Sequence, residues 1–300
     1  MNVDQAYREC AAITRREARD FSYGIALLPG PKRRALSAVC AMARRVDDIG
    51  DGDLPVAEKL RRLAVVRTQV ERLLDGAPPD PGESASDPVT VALADAAQRF
   101  PIRLGAFLEL LDGCEDDVRG MRYKTFEDLV AYCRKVGGSV GRLAVGVFDP
   151  RSYAEAEPPA ETLGVAVQLT CTIRDLYDDR LRGRIYLPAS DLEDYACTLE
   201  LREPGEPRAG ADEGLLDPDS FADLVRFEAN RTRAWYLRGL TLLPLLDRRS
   251  RSCTAAIAGV HLRLLDRISA DPDLLRNQRL ASPTGAKLAA AARALTRGDA

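Results

Sequence analysis

The sequence predicts an all-α protein. In nearly every segment of the 300-residue chain, apolar residues recur at intervals of three and four rather than two, which is the period of a helix. Clusters of proline, glycine and aspartate separate these segments. No segment alternates convincingly, and only the short stretch RIYLP at 184–188 is compatible with an extended chain.

The predicted helical segments are, in chain order, 33–48, 56–74, 102–117, 126–148, 160–179, 221–246, 253–268 and 285–295. The separators lie at 27–33, 50–55, 76–88, 149–159 and 202–219. None of them is typical of a linker between independent cores, because the helices on both sides are strongly apolar and need each other for burial. We therefore expect residues 1–300 to form one α-helical domain without internal repeats.

Composition excludes several classes of function. The net charge is −3, with 43 basic and 46 acidic residues interspersed, so there is no basic stripe for nucleic acid. The seven cysteines form no CxxC pair, which is typical of a reduced, cytoplasmic protein. We expect neither a signal peptide nor a membrane span, because residues 1–21 are charged throughout and no run of about 18 apolar residues occurs. Peripheral membrane contact and the oligomeric state stay open.

Two further absences narrow the chemistry. His261 is the single histidine, so a zinc site with several histidines is excluded. Neither GxGxxG nor GxxxxGK[ST] occurs, so dinucleotide and P-loop folds lack the residues that would carry them.

Four pairs of aspartates have i,i+4 spacing, which places both carboxylates on one helix face. Asp219 and Asp223 lie at a helix start, where acids cap free N–H groups. The pair 112/116 fits a solvated helix end. The pairs 47/51 and 175/179 instead end strongly apolar helices, where the helix dipole disfavours carboxylates.

If the last two pairs faced each other at about 6 Å, each charge pair would repel by roughly 3 kcal/mol at an effective dielectric of about 20. Such an arrangement persists only with a cation between the acids. Carboxylates without histidine or cysteine ligands suit Mg²⁺, which adds phosphate oxygens from a substrate. The pattern therefore indicates either Mg²⁺-assisted loss of a diphosphate or separate surface acids.

Arginines surround both pairs, namely Arg44 and Arg45 at the first, and Arg174, Arg180, Arg182 and Arg184 at the second. Guanidinium groups can hold a departing diphosphate. The arginines could instead be simple counter-ions to the acids, and this role is compatible with the same site.

Three stretches of the chain carry a resemblance to a known family. They are FSYGIALLPGPKRRALSAVCAMARRVDDIGDGD (21–53), LLDGCEDDVRGMRYKTFEDLVAYCRKVGGSVGRLAVGVF (110–148) and LGVAVQLTCTIRDLYDDRLRGRIYLP (163–188). Together they resemble the squalene/phytoene synthase family. The likeness continues over 235–268 and so covers most of the chain. It is closest to the bacterial presqualene diphosphate synthase type. The resemblance implies an isoprenoid-synthase (terpenoid synthase) helical fold with a central cavity, in which Mg²⁺ joins two facing acidic motifs to a prenyl diphosphate.

The resemblance also implies roles for individual residues. Asp47, Asp48 and Asp51 would form the first metal-binding motif, and Asp175 and Asp179 the second. Diphosphate-binding or motif-orienting roles fall to Arg44, Arg174, Arg184 and Tyr186. The implied cavity wall comprises Phe21, Tyr132, Val136, Gly138, Gly141 and Gln168.

Several positions depart from the family pattern. They are Asp20 for Ser or Asn, Cys40 for an aromatic residue, Met42 for Phe, Gly137 for Ala, Cys171 for a metal-assisting Asn, and His261 for Tyr. A thiol is a poor Mg²⁺ ligand. These changes spare the ionising acids but alter positions expected around the cavity.

This pattern favours a prenyltransferase that ionises an allylic diphosphate and transfers the cation to an electron-rich, carbazole- or indole-like aromatic acceptor. His261 is then a possible proton acceptor or a structural residue. The alternative is head-to-head condensation of two farnesyl diphosphates to a C30 product. A third reading is a non-catalytic helical binding protein, against which retention of the four paired aspartates argues.

Overall fold

The computed structural model describes residues 1–77, 87–200 and 218–275, and no β-strand occurs in these ranges. The helices are α1 (Val3–Glu17), α2 (Arg19–Ile25), α3 (Gly30–Asp51), α4 (Val56–Leu74), α5 (Pro88–Arg99), α6 (Ala106–Val118), α7 (Phe126–Cys133), α8 (Ser139–Phe148), α9 (Tyr153–Arg174), α10 (Leu176–Leu181), α11 (Ala189–Asp194), α12 (Pro218–Gly239) and α13 (Arg248–Ala270). A π-helical turn spans Arg134–Gly138, and 3₁₀ turns span Leu240–Leu245 and Pro272–Leu275. None of these helices is long and apolar enough to cross a membrane.

Two 22-residue helices, α3 and α9, organise the fold. Helix α3 packs against α1, α5, α6 and α8, and α9 packs against α8, α12, α13 and the π-helical turn. One apolar core runs through these contacts from Ala6 in α1 to Leu275 after α13. Each of the two helices carries one of the acid pairs at or just beyond its C-terminal end.

Three local predictions differ from the structure. The segment 126–148 is not one α-helix, because the π-helical turn interrupts it. The separator 149–159 contains the start of α9, capped by the Ser152 side chain, with Pro158 and Pro159 inside the helix. They lie beyond the first turn of α9, so each removes one backbone hydrogen bond from the helix. The segment 221–246 is not one α-helix either, because α12 ends at Gly239 and the 3₁₀ turn follows. The stretch 184–188 contains no strand and is irregular, which the sequence allowed.

Four further helices, α1, α2, α5 and α11, were not predicted from the sequence. Helix α1 buries only Ala6, Tyr7, Cys10 and Thr14, a narrow stripe at helical spacing within a highly charged segment. Such a stripe is sufficient because α1 packs on α3 and α5 along that one face. The predicted segment 285–295 lies outside the described residues.

Glycines allow α9 to approach the preceding helices closely. A Cβ atom on Gly164 would lie 2.1 Å from the carbonyl oxygen of Gly137, and one on Gly141 would lie 2.3 Å from that of Ala160. The contacting atoms are backbone, so neither could move aside without shifting a helix. We expect Gly164→Ala to lower the free energy of unfolding by about 1–3 kcal/mol, as overpacking does.

Urea unfolding would measure this loss, with Gly259→Ala in α13 as the matched control. A Cβ at Gly259 would meet only the end of the Arg263 side chain, at 3.5 Å. Alanine is also the better helix former, so the control should be neutral or stabilising. Equal unfolding midpoints for the two variants would contradict the proposed close packing.

A buried charge network fixes α11 to α12. Arg231 donates to Glu228 Oε1 at 2.6 Å, pairs with Asp191 of α11, and lies 3.6 Å from the ring centre of Phe126. The Glu228 side chain is 2% exposed, and burial raises its pKa to about 7, from the usual 4.5. The folded state therefore binds this proton more tightly than the unfolded state does.

Stability from this proton is fully present below pH 4.5 and is lost as the pH rises through 7. We expect the wild-type protein to lose about 2–3 kcal/mol more than Glu228→Gln between pH 5 and pH 8. Metal-free urea unfolding at both pH values measures the difference. Parallel pH dependence in the two proteins would show that Glu228 is not the group responsible.

Candidate active site

A cavity of about 550 Å³ lies among α2, α3, α6, α8, α9 and α13. This volume is typical of a site for a small molecule. Much of its wall is apolar, including Val140, Ala144, Phe148, Leu163, Val167 and Ile257. Carboxylates and arginines from the ends of α3 and α9 complete the lining.

Both acid pairs line this one cavity. Asp47 and Asp51 come from the last turn of α3, Asp175 is the C-terminal cap of α9, and Asp179 lies in α10. At Asp175 the backbone leaves the helical conformation, with φ −94° and ψ 7°, and α10 starts at the next residue. This break positions Asp179 in the cavity wall together with Asp175.

Arg184 connects the two acidic motifs. Its Nη1 donates to Asp51 Oδ1 at 2.6 Å, and its Nη2 donates to the carbonyl oxygen of Gly50 at 2.9 Å. Arg184 follows Asp179 by five residues, so one guanidinium fixes the chain after the second motif to the end of α3. The side chain is 13% exposed, which strengthens these charge-assisted bonds.

Two further arginines of the cavity wall each bind a neighbouring carboxylate. Arg174 Nε donates to Asp175 Oδ1 at 2.7 Å, and Arg44 Nε donates to Asp48 at 2.8 Å. Arg45, in contrast, turns away and binds Asp87 at the start of α5 through two 2.6 Å bonds. Arg180 donates to the backbone oxygen of Leu199. Only Arg44, Arg174 and Arg184 of the flanking arginines line the cavity.

The site carries an excess of negative charge. Burial is the main cause that raises the pKa of Asp47 to about 7, with smaller contributions from Asp51 and Asp48, and Arg44 opposes the increase. Burial and the nearby Asp175 likewise raise the pKa of Asp179 to about 7. Both carboxylates are therefore costly to ionise in the protein alone, and a bound cation would relieve that cost.

The donor set fits Mg²⁺ better than a softer metal. Asp47, Asp51, Asp175 and Asp179 offer only oxygen atoms, whereas burial raises the pKa of Cys171 to about 11 and keeps it a neutral thiol. Among the described residues, no three His, Cys, Asp or Glu side chains already converge on one point. Mg²⁺ commonly completes its shell with water and substrate phosphate oxygens, so these aspartates could share such ions with a diphosphate.

Asp117 is a site residue that sequence reasoning missed. The hydroxyls of Tyr132 and Tyr186 donate to its two oxygens at 2.8 and 2.9 Å, and the two rings stack at 5.2 Å. Burial raises the pKa of Asp117 to about 6, while both tyrosine bonds oppose the increase. Asp117 has no i,i+4 aspartate partner, so pair counting passed over it. The acidic run 115–117 before Tyr123 was the only signal.

We expect Asp117→Asn to lower kcat by about tenfold and leave the protein folded, because an amide oxygen can still accept one tyrosine bond but its nitrogen repels the second donor. Steady-state kinetics with a prenyl diphosphate measures this loss. Tyr132→Phe and Tyr186→Phe should each give a smaller loss. A fully active Asp117→Asn variant would remove Asp117 from the site.

The other predicted residues divide into two groups. Those that line the cavity are Asp20, Phe21, Tyr132, Val136, Gly141, Gln168, Cys171, Tyr186 and His261. Two predicted site residues, Gly138 and Asp48, do not line the cavity. Gly138 is buried against Glu161 of α9, 2.9 Å from where its Cβ would lie, and serves helix packing. Asp48 is 54% exposed, pairs with Arg44 and is not among the residues that line the cavity.

Further lining residues carry no recognisable sequence motif. Thr172, Thr254 and Ala258 add to the wall, as do Cys40 and Cys114. The Thr172 hydroxyl is buried and has no hydrogen-bond partner in the described residues. Helical period alone could not separate these positions from ordinary core positions.

The chain is similar to known proteins over nearly its whole length. The family model for squalene/phytoene synthase matches residues 14–285. A phytoene synthase from Mycobacterium tuberculosis is 42% identical over 293 residues, which cover 97% of this chain and 91% of that protein. A 15-cis-phytoene synthase from Synechococcus elongatus is 30% identical, with coverages of 96% and 91%.

Solved structures share the fold. A dehydrosqualene synthase in complex with ligand superposes with a TM-score of 0.82 at 24% identity, covering 98% of this chain and 97% of that one. A squalene synthase from Alicyclobacillus acidocaldarius gives 0.73 at 25% identity, with coverages of 89% and 94%.

Proposed function

The chain belongs to the squalene/phytoene synthase family of prenyltransferases, with the all-α isoprenoid-synthase fold, and from this premise we propose that it joins two allylic prenyl diphosphates head to head. Similarity to phytoene synthases supports C20 donors and a C40 product. It supports this condensation over the aromatic acceptor that the departures from the family pattern favoured. The departures leave the four paired aspartates unchanged.

The observation that carries the proposal is the sharing of one cavity by two carboxylate pairs and a largely apolar wall. The carboxylates at the ends of α3 and α9 would hold Mg²⁺ against a diphosphate. Bound Mg²⁺ would neutralise the diphosphate and so stabilise it as a leaving group. The apolar wall would exclude water from the allylic cation until the second chain reacts.

The chain's own side chains would supply orientation. Arg44, Arg174 and Arg184 each hold a carboxylate in the structure, and guanidinium groups at the same positions can turn a second N–H toward diphosphate oxygens. Asp117 would fix the hydroxyls of Tyr132 and Tyr186 beside these groups.

The test is incubation of the full chain with Mg²⁺ and geranylgeranyl diphosphate as the only organic substrate. We expect two diphosphates to be released for each C40 hydrocarbon formed, and a lower rate of C30 formation from farnesyl diphosphate. Diphosphate release that requires an aromatic co-substrate would overturn the proposal. Failure to release diphosphate from either donor, with donor binding intact, would instead support a binding protein.

A further inference from the structure

We infer that Lys32 fixes the apolar end of the cavity and so limits the length of the prenyl chain that the site accepts. This inference rests on the proposed head-to-head condensation, and it concerns the end of the cavity opposite the paired aspartates. Lys32 is not among the residues that line the cavity, so its role is that of a positioning residue.

The cavity has a charged end and an apolar end. Helix α3 lines it from Leu36 to Asp51, and α9 with its C-terminal cap lines it from Ala160 to Asp175. At the rise of an α-helix, each of these spans is about 22 Å long. The acids lie at the C-terminal end of both spans. A diphosphate held there would therefore direct its prenyl chain toward Leu36 and Ala160.

Buried side chains form the wall at the apolar end. Leu36, Ala160 and Phe148 line the cavity and are 3%, 1% and 4% exposed. The largest of them is Phe148, the last residue of α8. A prenyl chain that reached this wall would meet protein rather than solvent, so the position of Phe148 would decide how long the chain can be.

Lys32 connects Phe148 to the start of α3. Its Nζ donates to the carbonyl oxygen of Phe148. The last carbonyls of a helix lack partners within that helix, and a positive charge suits the negative end of its dipole. Lys32 itself lies in the first turn of α3, where a positive charge opposes the dipole of its own helix. Its charge therefore stabilises the end of α8 rather than the start of α3.

The same ammonium group also binds the start of α13. Nζ lies 2.8 Å from Asp247 Oδ2 and 3.4 Å from Ser250 Oγ. Asp247 caps α13 by accepting from the backbone N–H groups of Arg249 and Ser250. Although burial alone would raise it, the bonds from Lys32 and Ser250 hold the pKa of Asp247 at about 2. Asp247 therefore stays ionised at neutral pH.

These bonds join three helices that each contribute to the cavity wall. Leu36 follows Lys32 by one turn in α3, and Phe148 ends α8. Thr254 follows Ser250 by one turn in α13, lines the cavity, and donates to the Ser250 carbonyl oxygen at 3.0 Å. Without the ammonium group, the end of α8 and the start of α13 would lose their shared partner. The wall would then yield more easily to a longer chain.

The experiment gives the full chain Mg²⁺ and an equimolar mixture of geranylgeranyl and geranylfarnesyl diphosphates. Product lengths from C40 to C50 report the preference between the C20 and C25 donors, and this ratio does not depend on the amount of folded enzyme. We expect the wild-type protein to prefer the C20 donor by about 10–100-fold, and Lys32→Met to lower this preference about tenfold. Arg33→Met is the matched control, since Arg33 is the next residue and is exposed, and it should keep the wild-type ratio.

Two further variants test the same contacts from α13 and α8. In Asp247→Asn the amide oxygen can still cap α13, but the charge that pairs with Lys32 is lost, so we expect the preference to fall by about threefold. Phe148→Leu shortens the wall directly and should lower the preference at least as much as Lys32→Met does. Asp247→Asn decides the question if Lys32→Met does not fold.

An unchanged donor preference in Lys32→Met would overturn the inference, because Phe148 would then keep its position without the ammonium group. Equal changes in Lys32→Met and Arg33→Met would also overturn it. Failure of the proposed function has a different signature. In that case the wild-type protein would join neither donor, and the donor preference would be measured as the ratio of their affinities for the Mg²⁺-loaded protein.

Discussion

Replacing Asp47 with asparagine is expected to reduce the rate of diphosphate release by at least about 1,000-fold. Asp47 lines the cavity, and its pKa near 7 reflects burial beside other carboxylates, so its charge is most useful when a cation is bound. Removal of one group that stabilises developing charge typically costs a factor of 100 to 1,000. Loss of a metal ligand should reach the upper end of this range. Release of diphosphate from a prenyl donor at saturating Mg²⁺ measures it.

Stability separates this effect from misfolding. The folded protein bears the cost of a buried, repelled carboxylate at Asp47, so Asp47→Asn should keep or raise the melting temperature at pH 8 without metal. Asp53→Asn, at an exposed position just beyond α3, is the matched control and should retain activity. A variant at Asp47 that stays active would refute the metal-site assignment.

Asp48→Asn distinguishes the sequence-based assignment from the structural one. A metal-ligand role predicts a loss like that of Asp47→Asn. The exposed position of Asp48 and its pair with Arg44 lead us to expect a loss below about fivefold, since surface ion pairs contribute little.

Replacing Arg184 with methionine is expected to lower kcat/KM by about 100-fold and to raise the Mg²⁺ concentration needed for half-maximal activity. The guanidinium is mostly buried, and its loss leaves Asp51 without this donor, while the Gly50 carbonyl oxygen keeps its bond from Lys59 Nζ. Removing one partner of such a pair commonly costs 2–5 kcal/mol, part of which reflects the charge left behind. It also frees the chain after Asp179 from the end of α3.

Arg184→Lys should recover only part of the activity, because an ammonium group lacks the planar fork that reaches both acceptors. Arg182→Met is the matched control, since Arg182 is exposed and lies on the same loop. Activity and Mg²⁺ titrations of the three variants give the comparison. If Arg182→Met and Arg184→Met lost activity equally, general electrostatics rather than the Asp51 contact would explain both.

The structure confirms the all-α class, and the family and fold that the motifs indicated are correct. Helical period and dipole arguments use residues within four positions of each other, so α3, α9 and their terminal acid pairs could be recognised from the sequence. The aromatic acceptor was inferred from Cys171 and His261, and the comparisons do not support it. A single substitution in the cavity wall indicates the shape of the cavity only when the residues on the opposite wall are known.

The site contacts that could not be predicted join residues far apart in the sequence. Arg184 meets Asp51 across 133 positions, and Tyr186 meets Asp117 across 69. No local pattern records such distances, so Asp117 was missed, and only the resemblance to the family distinguished Arg44 from Arg45. Gly138 was assigned to the cavity by the resemblance to the family, whereas in this chain it packs against Glu161 of α9.

The sequence by itself determined the all-α class, the long helices α3 and α9 and the two acidic motifs, because these depend on spacing along one helix and on charge at its end. Only the tertiary structure decided which of these acids share a cavity, which arginines reach them, and that His261 lies in the same wall as Phe21. Those choices depend on how closely helices pack. In this protein that packing is set by backbone contacts such as Gly137 with Gly164, whose effect appears only when both helices are in place.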